Sequence, residues 1–372
     1  MFVLSSLQCG GAERVAVLVA GGLAARGHDV VLVTLVDPAA RDFYPVPPRV
    51  RRVALDMGWH SATPLAALAN NARRVIGLRR ALASLAPRLA IAFLDDVNVL
   101  TALAATGRVP RVPVVGTQHT DPGPMPLPRP WRLLRRLVYP RLDAVVSVSA
   151  GVDRAVARWV RPRRRRVIMN PLTEPESEPA GTPAPTWLEP GWKHLVAMGR
   201  LTHQKGFDLL LAVFARLAPR FPEWRLVVLG EGEDRAALEA LRERLGLATR
   251  VLLPGRIENP HRVLAHGELF VLPSRYEGFG NVIIEAMHAG LATVAFDCPS
   301  GPAEIIEHGV NGVLVPALAT DALERALASL MADDGARARL AQAGRATAAR
   351  FRWDALAPRW EALIAEIAPR RR

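Results

Sequence analysis

Residues 269–287 read Leu269-Phe-Val-Leu-Pro-Ser-Arg-Tyr-Glu-Gly-Phe-Gly-Asn-Val-Ile-Ile-Glu-Ala-Met287. The four apolar residues Leu269 to Leu272 suit a strand buried on both faces, and Pro273 ends it. A loop containing Gly278 and Gly280 follows, and the apolar run after Asn281 predicts a helix over Asn281–His288. A strand, a glycine loop and a helix in that order form part of a βαβ unit, where the free amides at the helix start point at an anion. Glu277 lies in the loop, and Glu285 lies about two turns further on, inside the helix. Carboxylates avoid a phosphate at the helix end, so their expected partners are neutral hydroxyls, a sugar at one end of a ligand and a ribose at the other. The plainer alternative is a capped buried helix with two incidental acids. Against it, Glu285 stands in Ile-Ile-Glu-Ala-Met with apolar neighbours on both sides, which is no solvated face.

The same alternation extends outward in both directions. Strands are predicted at His194–Met198, Leu226–Leu229, Val251–Leu253 and Ala292–Ala295, with helices from Phe207 and over Arg235–Leu245. The first half repeats the pattern, with strands at Phe2–Ser5, Asp29–Leu35, Leu89–Phe93, Val112–Thr117 and Ala144–Val148 between Ala- and Arg-rich helical stretches. Fully apolar short strands alternating with helices predict doubly wound parallel α/β sheets. A length of 372 residues suits two cores better than one. Between the halves, Pro171-Leu-Thr-Glu-Pro-Glu-Ser-Glu-Pro and the residues up to 192 have the composition of an exposed linker. This gives a first domain over 1–171, a linker over 172–192 and a second domain from 193. Ligands of such sheets bind beyond the carboxyl ends of the strands, and the cleft between two such domains is the natural place for a site.

Several other strand ends carry chemistry. After the strand at 194–198 comes Gly199-Arg200-Leu-Thr-His-Gln-Lys205-Gly206-Phe207. Lys193 and Lys205 are the only lysines among 48 basic residues, so a lysine kept in a glycine-flanked loop stands out. A compact ammonium beside the fork of Arg200 suits a diphosphate, although two solvated loop charges would read the same way. Gly10 and Gly11 follow the first strand and precede an apolar helix, where they either admit a phosphate to the backbone or serve a tight turn with positive φ. His119 ends the strand at 112–117, in a position either structural or suited to donating to a sugar hydroxyl or a leaving phosphate. Gly230-Glu-Gly-Glu-Asp234 lacks a third glycine, and its acids would repel phosphate, so it reads as a strand exit and a charged helix start.

Half of the residues are hydrophobic and 22% are charged, proportions that exclude a disordered, collagenous or disulfide-scaffold chain. The formal charge is +13 and is uneven. Residues 1–171 hold 25 arginines and 10 acids, whereas 172–372 are slightly acidic. Such a surplus points to an anionic partner, a membrane surface or nucleic acid among them. Cys9 and Cys298 make neither a disulfide framework nor a thiolate metal site, which suggests a reducing, cytoplasmic address. Asp95-Asp96 and Asp333-Asp334 are adjacent pairs without metal-ligand spacing. No uncharged run approaches the ~18 residues that span a bilayer, and no basic leader precedes the short apolar start, so the expected membrane contact is peripheral. Residues 128–140 interleave Arg with Trp, Leu and Tyr as an interfacial helix does, and Arg161-Pro-Arg-Arg-Arg-Arg166 would add attraction to anionic lipid.

Taken together, these motifs resemble the family 4 glycosyltransferases, retaining nucleotide-sugar enzymes of the GT-B fold. The resemblance rests on Gly-Gly-Ala-Glu-Arg-Val at 10–15, His119, Val-Ser-Val-Ser at 146–149, Asn170-Pro171, Gly-Arg-Leu with Gln-Lys-Gly-Phe at 199–207, Gly-Glu-Gly at 230–232, and Glu277 with Glu285. It implies two Rossmann-like domains whose parallel sheets face across a cleft, a nucleotide-sugar domain over 193–350, and a closing helix over 351–372 that packs back on the first domain. It implies that Arg200 and Lys205 hold the donor diphosphate, that Glu277 contacts the donor sugar and that Glu285 holds the ribose hydroxyls. By the same resemblance, Gly10 and Gly11 approach phosphates and acceptor, His119 lies near the transferred sugar, and the base sits near Gly255, Arg256 and Ile257. The loop Gly278, Phe279, Gly280, Asn281 and Val282 completes the expected donor site, with no metal and no cofactor. The stretch Asp297 to Ile306 resembles a subgroup transferring hexose or N-acetylhexosamine to lipid-linked oligosaccharide, exopolysaccharide or O-antigen acceptors. The expected partners are therefore a nucleotide sugar, a lipid-linked or saccharide acceptor and an anionic membrane, at the inner face of the cell membrane. The competing readings are a nucleotide-sugar epimerase or phosphorylase of the same fold, and a nucleic-acid-binding protein suggested by an isoelectric point near 11.1. The last gives no reason for Glu277 and Glu285 to flank a glycine loop.

Overall fold

The apolar runs become strands because a central strand of a parallel sheet is covered on both faces and has no place for a polar side chain. A computed structural model describes residues 1–8, 10–35, 42–57, 63–107, 110–121, 128–174 and 185–368. Among them the chain forms two units, Met1–Pro171 together with Trp353–Arg372, and Leu172–Arg352.

Unit 1 holds the strands β1 (Phe2–Leu4), β2 (Val30–Thr34), β3 (Val50–Ala54), β4 (Ala90–Phe93), β5 (Val114–Gln118), β6 (Ala144–Ser147) and β7 (Arg165–Val167). They pair in parallel in the order β3-β2-β1-β4-β5-β6-β7. Unit 2 holds β8 (Lys193–Met198), β9 (Trp224–Leu229), β10 (Val251–Gly255), β11 (Leu269–Leu272), β12 (Ala292–Asp297) and β13 (Val313–Pro316), in the order β10-β9-β8-β11-β12-β13. These pairs are parallel too. Both sheets are doubly wound, as the sequence predicts. The direction of winding reverses between β1 and β4 in unit 1 and between β8 and β11 in unit 2. Those reversals are where a crevice opens at the carboxyl ends of the strands.

Three strands, β3, β7 and β13, are absent from the sequence prediction, and each lies at the edge of its sheet. Their sequences, Val-Arg-Arg-Val-Ala, Arg-Arg-Val and Val-Leu-Val-Pro, carry the charges and the proline that edges tolerate and centres do not. The predicted helices form over Phe207–Leu217, Arg235–Arg244 and Asn281–Ala289. Of the stretch read as a linker, 175–184 lies outside the described residues. Among its described flanks, Glu174, Thr186, Glu189, Pro190 and Gly191 are exposed, whereas Leu172 and Leu188 are buried, and the amide of Leu172 donates to the carbonyl of Phe351 at 2.7 Å.

The helix Trp353–Ile367 returns to unit 1, where Trp360 and Leu363 join the core formed by the inner face of the sheet and the helix Gly11–Ala25. Gly22 makes this docking possible, since a Cβ there would fall 2.1 Å from the Trp353 ring. A separate core in unit 2 is built from β8 to β12 and the helices Phe207–Leu217 and Thr320–Ala332.

Candidate functional site

In unit 2, the loops leaving β8 and β11 are neighbours because those strands are hydrogen-bonded across the reversal of the sheet. That topology joins residues 72 apart in sequence. Lys205 Nζ donates to Glu277 Oε1 at 2.5 Å, and both side chains are largely buried. The Ser274 hydroxyl donates to the same carboxylate oxygen at 2.7 Å, and the Ser300 hydroxyl donates to the Glu277 carbonyl at 2.6 Å. A buried charge pair persists only where extra hydrogen bonds compensate for the lost water, and Ser274 supplies one to the carboxylate while Ser300 ties down the Glu277 backbone.

Further contacts fasten the two loops. Arg275 grips the Asp208 carboxylate through both Nη atoms, at 2.8 and 2.7 Å, and donates to the carbonyl of His203 at 2.8 Å. That fork holds the Asp208 carboxyl below its usual range. Gln204 Nε2 donates to the Tyr276 carbonyl at 3.0 Å, and the Arg275 amide donates to the Gln204 carbonyl at 2.8 Å. Gly206 permits this approach: its φ is +67°, and a Cβ there would sit 2.1 Å from the Pro273 carbonyl oxygen. Cys298 lies under the site, its thiol donating to the Ser274 carbonyl at 2.9 Å. Burial, reinforced by the negative charge of Glu277, pushes that thiol up to about 12, so it stays protonated and is no nucleophile.

The helix Asn281–Ala289 begins at Gly280, whose φ of +98° turns the chain into it. Gly278 and Phe279 are buried, and the Phe279 ring packs edge-on against Phe351 at 5.6 Å, so it acts as a core residue. Asn281 and Val282 are partly exposed, while Glu285 is buried inside the same helix. Arg200 stands exposed directly after β8. Gly255 ends β10, and Arg256 and Ile257 follow it; β9 separates that strand from β8, so pairing in the sheet does not bring them to the Lys205–Glu277 pair. Gly255 has a φ of +88°, and a Cβ there would lie 2.8 Å from Glu231 Oε1.

Unit 1 presents a different strand end. His119 follows β5 directly, and its ring stacks on Phe93 at 5.4 Å. Desolvation pushes the imidazole down to about 4, so it is neutral at pH 7. Its Nε2 lies 3.0 Å from the Thr117 hydroxyl, and that hydroxyl donates to the Ala92 carbonyl at 3.0 Å. With the only hydroxyl hydrogen engaged, Nε2 is the donor to Thr117, and Nδ1 is left as the acceptor. The sequence reading had this histidine donating to a sugar hydroxyl or a phosphate. The hydrogen bonds make it an acceptor at Nδ1.

Around His119 runs a buried network that the sequence reading missed. Asp95 Oδ2 accepts from Gln118 Nε2 at 3.0 Å, and Oδ1 accepts from the Tyr139 hydroxyl at 2.8 Å and from Arg135 Nη1 at 3.1 Å. Asn98 Nδ2 donates to the Tyr139 hydroxyl and to the Thr117 carbonyl. Burial and the Asp95 charge raise the Tyr139 phenol well above its ordinary value. Leu94 joins β4 to this network with a φ of +78°, a strained position for a residue with a Cβ. The available signal was Asp95-Asp96 directly after an apolar strand, which the sequence reading weighed only as a metal pair.

Gly10 and Gly11 do not serve positive φ. Gly10 caps the helix Gly11–Ala25 with extended backbone, φ −153°, and Gly11 is the first residue of that helix. A Cβ on Gly10 would meet the Glu13 carboxylate at 2.1 Å, the movable end of that side chain.

Residues 9–173 match the family described as Glycosyltransferase Family 4, and residues 188–347 match Glycosyl transferases group 1. A Campylobacter jejuni protein named GalNAc-alpha-(1->4)-GalNAc-alpha-(1->3)-diNAcBac-PP-undecaprenol alpha-1,4-N-acetyl-D-galactosaminyltransferase is 26% identical over 98% of this chain and 98% of its own length. The exopolysaccharide phosphotransferase SCO2592 of Streptomyces coelicolor is 36% identical over 48% of this chain, a match spanning only 19% of that protein. In fold, the chain is similar to Anabaena Alr3699/HepE, solved in complex with UDP and glucose, with a TM-score of 0.80 at 22% identity over 98% of this chain and 99% of that one.

Proposed function

We propose, from the premise that this chain belongs to the family 4 glycosyltransferases, that it moves a hexose or N-acetylhexosamine from a UDP-sugar to a lipid-linked or growing saccharide in cell-surface glycan biosynthesis. The reaction retains anomeric configuration, needs no metal and takes place at the inner face of the cell membrane.

The observation that carries this reading is the buried Lys205–Glu277 pair, set where the sheet reverses and closed by Ser274. A sugar diphosphate satisfies both members. Its phosphate oxygens accept from the Lys205 ammonium, and a sugar hydroxyl donates to the Glu277 carboxylate. Arg200 and the amides at Gly280 and Asn281 add positive potential, so charge developing on the leaving diphosphate is met by fixed donors. Glu285, in the helix that starts there, takes the ribose hydroxyls, and the loop Gly255–Ile257 takes the base.

On the acceptor side, Gly10 and Gly11 admit the backbone to the ligand, and neutral His119 accepts a sugar hydroxyl at Nδ1. The bond from the anomeric carbon to the phosphate oxygen breaks on the face where the bond to the acceptor oxygen forms. The departing phosphate oxygen takes the acceptor proton, so no side chain acts as a covalent nucleophile. The Campylobacter relative, named for an undecaprenyl-diphosphate acceptor, and the UDP in the Anabaena structure favour these two substrate classes.

A thermal-shift panel of UDP-, GDP- and ADP-sugars, followed by product analysis on polyprenyl diphosphate-linked acceptors, tests the proposal. The expected result is stabilisation by a UDP-sugar and a glycosylated product with the donor's anomeric configuration. Release of a free sugar epimer without acceptor would replace this reading with the epimerase.

A further inference from the structure

We infer that one side of unit 1, built from the helices Pro64–Leu85 and Arg129–Val138, docks on an anionic lipid bilayer. Both helices pack against the helix Asp95–Ala105, which itself packs on β4 and β5. On the first, the Gly77, Leu78, Ala81 and Leu82 face is buried, while Leu65, Leu68 and Ile76 on the opposite face are 80%, 70% and 51% exposed. On the second, Val138 is buried, while Leu133 and Leu137 are 60% and 55% exposed. Apart from Leu134 on the same helix, the only other large hydrophobic side chains exposed among the described residues are Val310 and Leu318, in unit 2. A soluble surface rarely gathers so many apolar side chains on adjoining elements without a partner.

Charge identifies the partner. Neither helix contains an acidic residue, and each contains four arginines. Arg135 is buried and donates to Asp95, and the exposed Arg79 donates to the Thr106 carbonyl, while Arg73, Arg80, Arg129 and Arg136 are exposed beside the apolar residues. Leucines set among arginines, with no acid, match the boundary between acyl chains and anionic headgroups. A second copy of the same face would bring arginine against arginine, which disfavours self-association.

The run Arg161–Arg166, assigned to lipid from sequence, is largely committed elsewhere. Arg164 and Arg166 pair with Glu366 at 3.1 and 2.9 Å, and Arg165 pairs with Asp153 at 3.4 Å. The helix Pro64–Leu85, which sequence reading passed over, takes its place. Exposure and charge carry this docking independently of the donor chemistry proposed above.

The test is co-flotation of the full chain with phosphatidylcholine vesicles, with and without phosphatidylglycerol. Wild type should bind only the anionic vesicles and release in high salt. Leu65→Asp/Leu68→Asp and Leu133→Asp/Leu137→Asp should each weaken binding by about tenfold or more, and Val310→Asp/Leu318→Asp should leave it unchanged. Thermal midpoints check that each variant folds, and Arg80→Glu/Arg136→Glu gives an independent route if a leucine variant does not. Failure of wild type to bind anionic vesicles, or wild-type binding by the folded helix variants, overturns the inference. So does a dimer in light scattering that the same substitutions dissociate. UDP-sugar stabilisation in the folded variants separates loss of docking from loss of the donor site.

Discussion

The two sheets reverse by the same topology, but the strand ends that carry their candidate residues differ in electrostatics. In unit 2, a region of nearly balanced sequence charge, the strand ends after β8 and β11 carry ionised groups locked together, Lys205 with Glu277 and Arg275 with Asp208. In unit 1, whose first 171 residues carry most of the surplus arginine, the strand end after β5 holds a neutral imidazole on an aromatic ring. Arginines such as Arg73, Arg80, Arg129 and Arg136 are exposed on its helices, and the one buried beside that strand end, Arg135, is spent on Asp95. Net charge therefore says little about a site, because what counts is which charges the topology brings to the strand ends and which it leaves on the surface. On the proposed function, one strand end meets charge and the other meets hydroxyls.

Removing the charge from unit 2 is the severest way to break this contrast. Lys205→Ala should lower turnover by roughly 10²- to 10³-fold, the scale of losing one fixed donor to a developing anion, with an unchanged far-UV spectrum and a cooperative melt. Lys205→Arg should restore only part of the loss, because a planar fork does not fit the place of a compact ammonium against Glu277 and Ser274. Near-normal turnover by folded Lys205→Ala would show that the buried pair is structural.

The next largest effect falls on the backbone that brings the loops together. Gly206→Ala forces a Cβ into a left-handed position and toward the Pro273 carbonyl, which belongs to a strand end and cannot retreat. The variant should be destabilised by about 2–3 kcal/mol in urea unfolding. Gly27 has a φ of +91° with nothing within 4 Å of its absent Cβ, so Gly27→Ala isolates the conformational part and should cost about 1 kcal/mol. Equal losses for the two would mean that the approach of the β8 and β11 loops is not tight.

The contrast also explains what the sequence disclosed. Strands at the sheet centres, such as Leu269–Leu272 and Ala144–Ser147, are legible because burial on both faces leaves only apolar residues. β3, β7 and β13 are not, because an edge accepts arginine and proline. Lys205 and Glu277 could be picked out one by one from residue type and glycine neighbours, but their pairing follows from the adjacency of β8 and β11, which no local window contains. The Asp95 network was hidden for the same reason: Asp95, Gln118, Arg135 and Tyr139 come from three separate stretches, and each looks ordinary alone. Ser274 and Ser300 were hidden too, since a serine signals nothing until its acceptor is known.

A smaller effect probes the support of the unit 1 strand end. Tyr139→Phe removes the hydroxyl that donates to Asp95 and accepts from Asn98, leaving both partners buried. The loss should be about 1–2 kcal/mol in urea unfolding. If the network matters chiefly through Tyr139, Asn98→Ala should add little to the Tyr139→Phe variant, and fully additive losses would show that the two side chains act independently.

At neutral pH the smallest effect is that of His119 protonation, and its sign follows from the direction of its shift. An imidazole in an unfolded chain titrates near 6.5, whereas in the folded protein the ring is pushed down to about 4. Above 6.5 it is neutral in both states, and pH has no leverage through it. Below 6.5 the unfolded chain binds a proton that the folded site refuses, so stability falls on acidification until the folded ring itself charges near 4. His119→Gln binds no proton in either state, so its stability relative to wild type should rise when urea midpoints are compared at pH about 7 and about 5. By the same argument, turnover should show no inflection near 6.5 that is traceable to this residue. An inflection there that vanishes in His119→Gln would mean that the folded ring carries charge in the working range, with both nitrogens donating. The strand ends of the two units would then no longer differ in kind, and His119 would have to be assigned to the diphosphate instead of to a sugar hydroxyl.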